Sequence, residues 1–69
     1  MATEESRRVR QALKRVENER RNVQRIEDLV GHTPPGSKQL DRYLPDLAQQ
    51  RAQLDFAILQ LARARHEAS

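Results

Sequence analysis

Both glycines and all three prolines of this 69-residue chain lie between Gly31 and Pro45, in the stretch GHTPPGSKQLDRYLP. Glycine and proline are the residues that a helix interior tolerates least. The flanking segments are therefore free to run as helices, while the stretch between them must turn. Each flank carries a seven-residue apolar pattern that keeps its phase, so the stretch reads as an elbow within one structure and not as a boundary between two domains. The expected fold class is all-α, an antiparallel two-helix hairpin of coiled-coil type forming a single domain over residues 1–69.

In the first flank, Val9, Val16, Val23 and Val30 recur every seven residues, with Ala12, Leu13 and Ile26 beside them. This narrow, β-branched stripe resembles a coiled-coil seam more than the face of a globular core helix. Thr3 is a suitable N-cap, Glu4 and Glu5 suit the first turn, and Gly31 suits the left-handed C′ position. The first helix is expected over about residues 4–30 and the elbow over about 31–40. In the second flank, Leu40, Leu44, Leu47, Leu54, Ile58 and Leu61 alternate spacings of four and three, with Arg51 and Arg65 at the missing heptad positions. Proline suits a first turn but not a helix interior. The preferred reading therefore caps the second helix at Asp41, near Pro45, and runs it to about residue 65. The rival starts it at Ser37 and kinks it at Pro45.

Composition then bears on assembly. A third of the residues are charged, with one Phe, one Tyr and no Trp, so a monomeric core would be thin. There is no cysteine for a disulfide and no cluster of metal ligands. Self-association, as a homodimeric four-helix bundle, or a partner protein should supply the missing burial. No apolar run reaches the roughly 20 residues of a membrane helix, and MATEESRR is not a secretory signal, so no membrane partner is expected. Absence of cysteine fits a reducing compartment, expected to be the cytoplasm. The Arg- and Ala-rich, Lys-poor composition suggests a bacterial source. The net charge of +3 is modest for a chain that would bind nucleic acid by charge alone.

Catalytic signals are lacking. His32 and His66 have no second ligand at metal spacing, and Ser6, Ser37 and Ser69 lack the strand–turn–helix setting of a hydrolase nucleophile. Glu17, Glu19, Glu27 and Asp28 lie among arginines as solvated surface charge. The chain is read as not an enzyme, with no cofactor and no metal. Arg7, Arg10, Lys14, Arg21 and Arg25 fall on one outer stripe of the first helix and make up an alternative nucleic-acid face, although no aromatic residue is interleaved for base stacking. Arg20 and Arg51 occupy seam positions at about the same level of the expected hairpin. Their stems lie along the seam with heads in water, or they form a polar layer that sets the register of an oligomer.

The segment RAQLDFAILQLARA is the most informative for function. Leu54, Ile58 and Leu61 are expected to face the first helix, while Ala52, Phe56 and Leu59 make a second apolar patch on nearly the opposite side. One neighbouring helix can cover only one of these sides. Ala52, Leu54, Phe56, Ile58 and Leu59 are therefore the expected partner interface, for a second copy or a different helical protein.

QLDFAI (53–58) is similar to the Ala-Leu-acid-small-Ala-Ile pattern in the second helix of the hairpin co-chaperones of type III secretion needle subunits, and SKQL resembles the start of that helix. The resemblance implies a cytosolic co-chaperone that joins a helical-repeat chaperone to keep a needle subunit from polymerising. Leu54, Phe56, Ile58 and Leu59 would then lie at or near the contact surface.

Overall fold

The valine stripe and the leucine stripe each form one long helix. In the computed structural model, which describes residues 4–68, α1 spans Glu4–Gly31 and α2 spans Lys38–Ala68. The chain is all-α, and the two helices pack side by side as a hairpin. Their antiparallel sense shows in the cross-helix pairs Arg8–Glu67, Arg15–Gln60 and Glu27–Arg51. Thr3, the expected cap of α1, lies outside the described residues.

The elbow is residues 32–37, shorter than expected, and it ends α1 by a different device. Gly31 is the last helical residue and does not take the left-handed conformation; Gly36 does, with φ 80°. Pro34 disfavours helical geometry at Thr33, and side chains close the helix end. The backbone N–H and ring Nδ1 of His32 both reach the Asp28 carbonyl, at 3.1 and 2.7 Å, while the Thr33 hydroxyl donates to the Leu29 carbonyl. Pro34-Pro35-Gly36-Ser37 then forms a turn in which the Ser37 N–H donates to the Pro34 carbonyl at 3.3 Å. Pro followed by a glycine of positive φ is the signature of a type II turn.

α2 starts earlier than the preferred reading placed it. Ser37, not Asp41, is the cap: its Oγ accepts the Leu40 N–H at 3.3 Å, three residues on. Asp41 falls in the first turn, and Pro45 lies inside the helix. The early start places Leu40 and Tyr43 on the side of α2 that meets α1, where both are half-buried. Pro45 itself is exposed, as is Asp41, whose carbonyl loses its usual partner at the proline.

The core is a single row between the helices. Val16, Ala57 and Leu61 form its centre, with Val9, Ala12 and Leu54 packed against them. Val16 and Ala57 are 4% and 1% exposed, the alanine allowing close approach. Val23 and Leu47 extend the row toward the elbow. Leu13, beside the valine stripe in sequence, is left exposed.

On α2 the seam takes Leu40, Leu47, Leu54 and Leu61 as expected, but its other half is Tyr43, Gln50, Ala57 and Ala64. The expected Leu44, Arg51, Ile58 and Arg65 are one residue out of phase and exposed. The reason is charge: the expected frame would bury two guanidinium groups, whereas the observed one buries a neutral amide and two small side chains. The hairpin measures 53 × 16 × 12 Å, with a radius of gyration of 15.8 Å.

Candidate functional site

The two outer faces of the hairpin differ in kind. The outer side of α1 is mostly polar: Arg7, Arg10, Lys14, Arg21 and Arg25 are all exposed on it, with Glu17 and Asp28 interspersed and Leu29 its one large exposed apolar side chain. The outer side of α2 carries most of the exposed large apolar side chains, with Asp41, Asp55 and Arg63 exposed among them. Phe56 is 51% exposed, Leu59 48%, Leu44 47% and Ile58 43%. Ala48, Ala52 and Ala62 are exposed between them, so the large side chains are parts of one surface and not isolated.

Helical spacing explains the surface. With Leu54, Ala57 and Leu61 turned toward α1, residues 52, 56 and 59 must point away, and residues 44, 48, 58 and 62 lie along one edge. Phe56 is held partly in place by α1: the Arg15 guanidinium carbon lies 6.0 Å from the ring centroid, within cation–π range, while Arg15 also donates to Gln60 Oε1 at 3.1 Å. The free part of the ring remains in solvent.

Of the expected partner interface, Ala52, Phe56, Ile58 and Leu59 are on the surface. Leu54 is not: it is half-buried in the hairpin seam against the Val16–Ala57–Leu61 cluster. Ile58, expected to face α1, instead extends the outer surface, as does Leu44.

Arg20 and Arg51 do not share a layer within the single hairpin. Both are exposed, and Arg51 Nη2 donates to Glu27 Oε1 across the edge of the hairpin at 3.3 Å. In the observed register Arg51 stands opposite Glu27, not Arg20. The polar groups that do enter the seam are Glu19 and Gln50, each the neighbour of an expected arginine. Glu19 Oε2 and Gln50 Oε1 are shielded from solvent with no hydrogen-bond partner among the described residues. The side chains on the far side are simpler. His32 caps α1, and Gln24 Nε2 donates to Asp28 Oδ1 at 3.1 Å.

Among the described residues there is no pocket and no group of three or more His, Cys, Asp or Glu side chains placed to hold a metal ion. No helix there is long and apolar enough to cross a membrane. Comparison with known protein families, with curated proteins and with solved structures gives no match.

Proposed function

We propose that the chain is a non-enzymatic protein–protein interaction module, a small helical adaptor that presents the outer apolar face of α2 to a partner helix. One observation carries the reading: α2 is apolar on two sides, and the hairpin supplies a neighbour for only one. Contiguous exposed apolar surface is characteristic of interaction sites. The cysteine-free chain suits a reducing compartment such as the cytoplasm. The co-chaperone form of this reading, implied by the resemblance to the needle-subunit helpers, would have the same face dock on a client-bearing chaperone.

The test is the size of the chain in an extract of the cells that make it. A complex larger than the 8.0 kDa chain is expected, and Ile58→Lys with Leu59→Lys should release the chain to the size of the hairpin alone. A wild-type chain already running as a lone hairpin there would remove the basis of the proposal.

A second reading, nucleic-acid binding by the outer face of α1, is favoured by the exposure of Arg7, Arg10, Lys14, Arg21 and Arg25 away from the apolar surface. Salt separates the two. Counterion release makes phosphate binding fall steeply as salt rises, whereas apolar helix docking persists. Arg10→Glu with Arg21→Glu should abolish nucleic-acid retention under this second reading and leave helix docking unchanged.

A further inference from the structure

One edge of α2 carries the same order of aspartate, large aliphatic, alanine and arginine twice, fourteen residues apart: Asp41, Leu44, Ala48 and Arg51, then Asp55, Ile58, Ala62 and Arg65. Their spacing alternates three and four, the spacing of a coiled-coil seam. All eight are exposed, because α1 is covered by the neighbouring seam and not by this one. From this pattern we infer that the occupant of the apolar face of α2 is a second copy of the chain, its α2 running antiparallel along this edge about a two-fold axis. The inference rests on the interaction-module reading and names the partner.

The pattern is complementary to its own reversal. Laid antiparallel in full overlap, Asp41 of one copy meets Arg65 of the other, Leu44 meets Ala62, Ala48 meets Ile58, and Arg51 meets Asp55; the two-fold axis then repeats each contact. Every large side chain faces an alanine, and every charge faces its opposite. Other alignments lose this match. A parallel pairing sets Asp against Asp and Arg against Arg. An antiparallel slip of seven residues sets Ala48 against Arg65 and Asp55 against Ile58, and a slip of fourteen engages only half of the edge. A two-fold interface requires self-complementarity of this kind. Arg51 can serve both Glu27 of its own hairpin and Asp55 of the other copy, since a guanidinium carries five donors.

The exposed area is sufficient for such a contact. The edge is about 36 Å long at the helical rise, with Ala52 and Leu59 on one flank. The chain exposes 5716 Å², against about 4,450 Å² for a compact monomer of its mass. The excess exceeds the roughly 800 Å² that each partner contributes to a standard interface.

The experiment uses the purified chain, which contains no native cysteine to interfere. Sedimentation across a concentration series should show twice the 8.0 kDa mass, and Ala48→Arg or Asp55→Arg should weaken association tenfold or more with helix content unchanged. Ala48→Cys mixed with Ile58→Cys should form a disulfide-linked dimer on oxidation, while neither variant does so alone. Equally ready linkage of Ala48→Cys to itself would overturn the antiparallel arrangement. A wild-type monomer at the highest attainable concentration would overturn the second copy as occupant. If such a monomer is nonetheless found in a larger complex in cell extract, released by Ile58→Lys with Leu59→Lys, the docking face stands with a different partner. A lone hairpin in both settings defeats both readings.

Discussion

The two glycines of the elbow look equivalent in sequence and are opposite in the structure. Gly31 is a helical residue with a negative φ, and a Cβ added there meets nothing within 4 Å. Gly31→Ala should therefore raise stability by about 0.5–1 kcal/mol, the usual helical preference for alanine. Gly36 holds the turn at φ 80°, where a side chain is strained whatever the space around it. Gly36→Ala should lower stability by about 1–2 kcal/mol. Urea unfolding of the two variants checks both signs, and equal effects would contradict the assigned roles. Gly31 misled the sequence reading because a glycine after a helical stripe most often marks its left-handed end. The closing bonds from His32 and Thr33 are side-chain geometry, which no spacing rule displays.

At the scale of the element, the existence and order of the helices were legible, because two seven-residue apolar patterns flank the Pro34-Pro35-Gly36 turn. The phase of α2 was not. Both candidate seams share Leu40, Leu47, Leu54 and Leu61, and counting apolar bulk favours Leu44 and Ile58 over Tyr43 and Ala57. Counting buried charge favours the observed frame, which excludes Arg51 and Arg65 and admits only Gln50. For the same reason Arg20 and Arg51 keep their heads in water, and the apolar outer face gained Ile58 and Leu44 while losing Leu54. The start of α2 is ambiguous between Ser37 and Asp41 in the sequence because an interior proline is costly, and the structure takes the Ser37 start. The cost of that proline should be measurable: Pro45 sits exposed within the helix, where alanine would restore a backbone hydrogen bond to the Asp41 carbonyl. Pro45→Ala should stabilise the hairpin by about 1–3 kcal/mol in denaturant unfolding. No change would mean that α2 is not continuous through residue 45 in solution.

The whole molecule is long and thin. A compact chain of 69 residues would have a radius of gyration of about 11 Å, and this one has 15.8 Å. A rod of two helices has one internal row in place of a core, and among the described residues no large side chain is fully buried. Glu19 and Gln50 weaken that row further by placing unpartnered oxygens in it. Association should then add to the stability of the folded hairpin by mass action. For a dimer of this size, about 0.7 kcal/mol of unfolding enthalpy per residue makes the thermal midpoint rise by about 5 °C for each tenfold increase in concentration. Ile58→Lys removes an exposed side chain from the proposed contact without touching the Val16–Ala57–Leu61 row, so it should lower the midpoint and abolish its concentration dependence. Calorimetry over two decades of concentration decides the matter. A wild-type midpoint that is high and independent of concentration would show that one row of valine, alanine and leucine is enough for a lone hairpin, and the apolar outer side of α2 would no longer require a companion to explain it.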